Sequence, residues 1–166
     1  MGFIFAALFI WQADPTPVSF LLGAAIMIFG EAVRFISAGT LVKFEGVTDT
    51  GIYSAVRNPL YVGSFLVGAG ALVMGRNIVF TILFLILYPA VYWYIIRREE
   101  RYLVGRYGDE YLRYLDTVPR IVPRRLPLGE IFSRTAPFLA VKNRELKAVT
   151  GVLAIWGVML VKIAFL

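Results

Sequence analysis

The sequence predicts an all-α fold: a polytopic integral membrane bundle of about five transmembrane helices. Two observations support this. Hydrophobic residues make up 59% of the 166-residue chain and charged residues only 17%, more apolar surface than a soluble globule of this size can bury. The apolar residues also fall into long runs separated by polar segments, which is the pattern of successive membrane-spanning helices.

The apolar runs place the helices along the chain. Residues 2–11 are too few for a full crossing, which takes about 20 residues, so a tilted or incomplete first helix is expected there. Longer runs predict four further spans, at residues 18–37, 60–74, 78–96 and 149–166.

The polar segments predict how these helices are joined. A turn at residues 75–77 makes the third and fourth spans an antiparallel hairpin. The fourth helix should continue into the charged residues 97–100, then break and restart at 107–111. Prolines at 119 and 123 exclude helix there, and 128–141 should form one helix lying in the membrane interface.

The distribution of charge predicts the topology. The net charge is +6, and most basic residues fall in segments 38–56 and 97–147, whereas 13–17 has none. The positive-inside rule then places both long polar segments in the cytoplasm. The charge is explained by these flanks, so no nucleic-acid partner is expected.

The absence of histidine and cysteine limits the possible chemistry. It excludes imidazole bases, thiolate nucleophiles and His/Cys metal sites, so no metal is expected. Any reaction must depend on carboxylates, arginine, tyrosine, asparagine and backbone groups, or on a bound cofactor.

Residues 50–70 are the most unusual stretch. Arg57 and Asn58 directly precede Pro59, a residue suited to the first turn of a helix. A helix start beside an arginine favours an anionic or carboxylate-bearing ligand. Alternatively, this is an interfacial loop whose arginine meets lipid phosphate. The hairpin would bring this stretch beside Glu99 and Glu100, as a mixed-charge ligand requires.

Four motifs in this order resemble the isoprenylcysteine carboxyl methyltransferase family and the related phospholipid N-methyltransferases. They are RNPLYVG at 57–63, the pair Glu99–Glu100, YGDEY at 107–111 and VPR at 118–120. The resemblance covers roughly residues 30–123, and 128–166 would add C-terminal interfacial and membrane helices. Residues 1–166 are expected to form a single domain.

The resemblance implies S-adenosylmethionine as methyl donor, bound in a cytoplasmic pocket, and a lipophilic acceptor that enters from the bilayer. The turn at 45–48 should contribute to the pocket, and glycines of the third span would leave a gap for the acceptor. The implied cofactor-binding residues are Val47, Thr48, Tyr53, Asn58, Pro59, Leu60, Tyr61, Gly68, Gly70 and Glu99. Those implied in catalysis are Arg57, Arg98 and Glu100.

The roles follow the charges. Glu99 would bind the ammonium group of the donor, while Arg57 and the helix start would meet its carboxylate. Tyr53, Tyr61, Tyr92 and Trp93 could cover the sulfonium or the adenine.

Two departures leave the acceptor open among a prenylated carboxylate, a phospholipid amine and a small hydrophobic amine or thiol. Asn58 stands where the animal prenylcysteine enzymes have histidine, and Ile95 where they have the arginine tied to the substrate carboxylate. The alternative functions are those of an NADPH-dependent membrane reductase of the sterol or steroid reductase type and of a non-catalytic membrane scaffold. The small size favours a prokaryotic inner membrane, and the oligomeric state is open.

Overall fold

The computed structural model describes residues 2–42, 46–143 and 145–165, with side chains from Phe5 onward. Every regular element in this part of the chain is a helix, which confirms the all-α prediction. In chain order they are α1 Gly2–Gln12, α2 Pro17–Thr40, α3 Ile52–Ala55, α4 Pro59–Gly75, α5 Ile78–Tyr107, α6 Asp109–Thr117, α7 Leu128–Ser133, α8 Pro137–Lys142 and α9 Leu146–Phe165.

Three of the described helices, α2, α5 and α9, are long and apolar enough to cross a membrane. Helix α4 is apolar but has only 17 residues, and α1 has 11. The described part of the chain therefore has three helices of spanning length and two shorter apolar ones, where the sequence predicted about five spans.

Helix boundaries follow local chemistry. Thr16 and Ser19 cap the start of α2 reciprocally, and the side chain of Asn77 accepts from the amides of Val79 and Phe80 at the start of α5. Helix α5 runs through residues 97–100 as predicted. Its last helical residue is Tyr107, and Gly108 follows as the C-cap, with a positive φ of 54° that suits a residue without Cβ.

The prediction of one interfacial helix at 128–141 is wrong. Two short helices, α7 and α8, occupy this stretch, separated by residues 134–136. Pro137 begins the second helix, and a proline disfavours helical geometry at the residue before it. The predicted non-helical stretch at 118–123 is confirmed.

Helices α2 and α4 pack against each other through glycines. A Cβ on Gly63 would lie 2.7 Å from the carbonyl oxygen of Gly30, and one on Gly70 would lie 2.6 Å from that of Gly23. The pairing of 30 with 63 and 23 with 70 makes the helices antiparallel, with their backbones in contact.

The expected glycine gap for an acceptor is not present. Gly63 and Gly70 are covered by α2, and a Cβ on Gly68 would lie 2.6 Å from the ring of Phe84 on α5. The glycines of α4 therefore close helix contacts.

Charged side chains attach α9 and its leading segment to the other helices. Arg34 of α2 donates to Glu145 at 2.8 Å and to Ser64 of α4, and its Nε lies 3.5 Å from Glu31. Near the other end of α9, the ammonium of Lys162 donates to the carbonyls of Ile10, Trp11 and Ala13. These carbonyls include the end of α1, where unpaired acceptors favour a cation.

Gly70→Ala should lower the thermal unfolding midpoint in detergent, because the added methyl meets the backbone of α2. Overpacking of this kind costs about 1–3 kcal/mol. The matched control is Gly157→Ala in α9, where a Cβ would have no neighbour within 4 Å. That variant should be neutral or slightly stabilised. Equal midpoints for the two variants would contradict the tight α2–α4 contact.

Candidate functional site

A cavity of about 310 Å³ lies between the start of α4, the polar end of α5, α6 and the segment before α3. Its walls combine carboxylates, arginines and tyrosines with apolar side chains. The lining residues are Leu41, Val42, Gly46, Val47, Thr48, Tyr53, Arg57, Asn58, Pro59, Leu60, Tyr61, Glu99, Glu100, Tyr102, Leu103, Arg106, Tyr107, Tyr111 and Tyr114.

Most residues that the sequence nominated for the site line this cavity. They are Val47, Thr48, Tyr53, Arg57, Asn58, Pro59, Leu60, Tyr61, Glu99 and Glu100. Glu45, part of the nominated turn, lies outside the described residues.

Tyr92 and Trp93, which were expected to cover the sulfonium or the adenine, do not line the cavity. Three of the residues nominated for cofactor binding or catalysis do not line it either. Gly68 packs on Phe84, and Gly70 packs on α2. Arg98 is exposed and is not part of the lining. The two glycines were nominated by the family resemblance alone, and the reason they do not line the cavity is steric, because neighbouring helices cover them.

Sequence reasoning missed Tyr102, Leu103 and Arg106. These residues follow Glu99 on α5 at the spacing of three, four and seven residues that defines one helix face. Since Glu99 was already nominated, that spacing was a usable signal. Tyr114 was also missed; its hydroxyl donates to the backbone carbonyl of Tyr53 at 2.8 Å.

The carboxylate of Glu100 is held by two arginines inside the wall. Arg120 donates to its two oxygens at 3.1 and 2.7 Å, and Arg57 lies 3.5 Å from one of them. Arg57 also donates to the carbonyl of Leu115 at 2.8 Å. Its two terminal nitrogens are therefore engaged within the protein, while its buried Nε has no partner among the described residues. The contact of Arg57 with a ligand stays a prediction.

Backbone contacts attach residues 114–120 to the start of α4. The amide of Arg57 donates to the carbonyl of Pro119 at 2.9 Å, and the side chain of Asn58 donates to the carbonyl of Arg120 at 3.2 Å. Asn58 makes no capping bond to α4. Pro59 has no N–H and the amides of Tyr61 and Val62 donate to the carbonyl of Asn58, so the first turn of α4 leaves the amide of Leu60 at the cavity wall.

Glu99 is the exposed carboxylate of the cavity. One of its oxygens accepts from the hydroxyl of Tyr61 at 2.9 Å, and the ring of Tyr61 contacts that of Tyr92, with centroids 4.9 Å apart. Tyr92 therefore supports the wall from outside the lining. Among the described residues, no group of three acidic side chains is placed to hold a metal ion.

Burial raises the pKa of three tyrosines of the cavity. Burial, followed by the nearby Glu100 carboxylate, raises the pKa of Tyr111 to about 12. Burial also raises the pKa of Tyr53 and of Tyr114. Because the folded state favours the neutral phenol, the stabilisation from Tyr111 is complete below pH about 10 and is lost as the pH rises towards 12.

Glu100→Gln should lower the thermal unfolding midpoint of the ligand-free protein, because it leaves Arg57 and Arg120 without their counter-charge. Removing one partner of a buried ion pair costs about 3 kcal/mol. Glu110→Gln on α6 is the control, since Glu110 is exposed and outside the cavity. An unchanged midpoint for Glu100→Gln would show that the arginine contacts do not hold the wall together.

Residues 18–110 match the family model described as phospholipid methyltransferase. Curated relatives are protein-S-isoprenylcysteine O-methyltransferases: one from Schizosaccharomyces pombe is 34% identical over 104 residues, covering 63% of this chain and 44% of the relative. One from Saccharomyces cerevisiae is 28% identical, covering 65% and 50%. Form B from Arabidopsis thaliana is 30% identical, covering 61% and 57%.

The chain thus spans about half the length of these relatives. No solved structure matches it. Because the family model covers more than half of the chain and includes α4 and nearly all of the cavity-lining residues, this protein belongs to the phospholipid methyltransferase family.

Proposed function

We propose that this protein transfers the methyl group of S-adenosylmethionine to a lipophilic acceptor at the cytoplasmic face of a membrane. The supporting observation is the cavity, which joins an exposed carboxylate, an uncapped helix start and several tyrosines. It lies where α4 begins and where α5 leaves its apolar portion. Family membership supports the same assignment.

The chemistry of the cavity fits the donor. Glu99 offers a carboxylate for the ammonium group, and the amide of Leu60 at the positive end of α4 suits the carboxylate. The faces of Tyr53 and Tyr107 suit the sulfonium or the adenine. When bound, the donor supplies an electrophilic methyl group.

The protein groups would act by binding and orientation. Holding two reactants in line contributes roughly 7–11 kcal/mol of barrier lowering, so the lack of histidine and cysteine is no obstacle. Glu100, Arg57 and Arg120 would act as positioning residues, since they bind one another and set the wall beside Glu99.

The acceptor is proposed to be a lipid that reaches the cavity from the bilayer. Phospholipid is the substrate in the name of the family model, and isoprenylcysteine is the substrate in the names of the curated relatives. Both place an apolar tail in the membrane and a polar acceptor at its surface. The exposed apolar side chains of α5, including Val91, Tyr94 and Ile95, provide a lipid-facing route.

We also propose a membrane topology. The polar segments on either side of the α4–α5 hairpin would lie in the cytoplasm, with α1 and α4 completing five crossings in a prokaryotic inner membrane.

Calorimetric titration of the detergent-solubilised protein with S-adenosylmethionine, S-adenosylhomocysteine and NADPH tests the donor. The adenosyl compounds should bind with micromolar affinity and NADPH should not. Glu99→Gln should weaken binding of S-adenosylmethionine about tenfold, since a carboxylate–ammonium contact is lost.

Glu110→Gln removes an acidic charge outside the cavity and should leave the affinity unchanged. Binding of NADPH alone would assign the protein to the reductases. Wild-type affinity in Glu99→Gln would remove Glu99 from the donor site.

A further inference from the structure

The indole ring of Trp93 makes cation–π contacts with two arginine side chains. The guanidinium carbon of Arg97 lies 4.9 Å from the centroid of its ring, and that of Arg120 lies 4.7 Å from it. Arg97 follows Trp93 by one helical turn on α5, whereas Arg120 comes from the non-helical stretch after α6. Two distant segments therefore bring cations to one indole.

The two arginines differ in what they already bind. Arg120 pairs with the carboxylate of Glu100 through its Nε and one terminal nitrogen. Arg97 has no carboxylate partner among the described residues, and Arg101, another cation, donates to its backbone carbonyl. The surface beside Trp93 thus carries an excess of positive charge, which favours a bound anion.

Stacking leaves hydrogen-bond donors available. A cation–π contact uses the charge of the guanidinium and none of its N–H groups. Among the described residues the side chain of Arg97 donates no hydrogen bond and one terminal nitrogen of Arg120 donates none, so these donors remain for an oxyanion. Arginine is well suited to phosphate because its planar donors can bind two oxygens together.

The surroundings indicate a lipid. Trp93 is 47% exposed at the end of the apolar part of α5, and tryptophan is enriched at the membrane–water interface. Beyond Arg120 the chain exposes Val122 and Leu126 beside the basic pair Arg124 and Arg125. A basic pair flanked by exposed apolar side chains is typical of a surface that contacts headgroups and acyl chains together.

We propose that Arg97 and Arg120, held on the indole of Trp93, form a binding site for the phosphate of an anionic phospholipid. The ligand class follows from charge complementarity and from the interfacial position of the indole. The site lies outside the cavity lining, although the pairing of Arg120 with Glu100 connects the two. It does not depend on methyl transfer, so its test is independent of the proposed function.

Fluorescence of Trp93 tests the site. In a Trp11→Phe, Trp156→Phe background, Trp93 is the remaining tryptophan. This protein is placed in phosphatidylcholine vesicles that contain either brominated-chain phosphatidylglycerol or brominated-chain phosphatidylcholine. Brominated phosphatidylglycerol should quench Trp93 more strongly than brominated phosphatidylcholine does, and the ratio of the two quenching efficiencies is the lipid preference. Arg97→Gln should reduce this preference about fivefold, the equivalent of about 1 kcal/mol for one basic side chain near an anionic surface.

Arg98→Gln is the matched control, because it removes the same charge from the adjacent exposed position, whereas the cation–π contacts of Trp93 come from Arg97 and Arg120. It should keep the preference. Equal quenching by the two lipids, or equal effects of Arg97→Gln and Arg98→Gln, would overturn the proposal. If the background substitutions impair folding, subtracting the Trp93→Phe signal in the otherwise unchanged chain gives the same comparison.

Inorganic phosphate distinguishes a lipid from a free anion. Added to the same vesicles, it should reduce the preference no more than chloride at equal ionic strength does. Loss of the preference with phosphate alone would assign the arginines to a soluble anion and overturn the lipid site.

Discussion

The buried carboxylate of Glu100 is the contact on which the candidate site depends. It joins three parts of the chain that are distant in sequence: α5, Arg57 before α4, and Arg120 after α6. A carboxylate at this depth needs a counter-charge because burial removes its hydration. The two arginines provide it. The chain around them is joined by the bond from the amide of Arg57 to the carbonyl of Pro119 and by that from the side chain of Asn58 to the carbonyl of Arg120. One ion cluster therefore sets the shape of the wall beside Glu99.

The helices below the cavity serve a different purpose. Glycine contacts hold α4 against α2 at backbone distance, and Arg34 connects both to the segment before α9. This arrangement fixes the start of α4, including Pro59, Leu60 and Tyr61, at the cavity wall. Helix α5 is mostly exposed along its apolar portion, so it offers its surface to lipid while its polar end lines the cavity. The closely packed pair of α2 and α4 thus meets the lipid-facing helix α5 at the cavity.

Much of this could be predicted from the sequence. Apolar run length gave the long helices, Gly108 and the two prolines gave the interruptions, and the short turn at 75–77 brought Glu99 beside Tyr61. The sequence could not distinguish residues that line the cavity from residues that pack against other parts of the protein. Arg57 looks like an anion-binding residue in sequence, but its partners come from residues 100 and 115. Gly68 and Gly70 look like ligand room until the opposing helices are known.

The measurement that tests the central claim most directly is transfer of a labelled methyl group. The purified protein, in vesicles that contain a phospholipid amine and a prenylcysteine analogue, is incubated with methyl-labelled S-adenosylmethionine, and the lipid fraction is then treated with base. Label in the lipid fraction is the predicted result. Base-labile label would indicate a methyl ester and base-stable label an N-methyl group. A folded protein that binds the donor but labels neither acceptor, nor any lipid of a native membrane extract, would contradict the proposed activity.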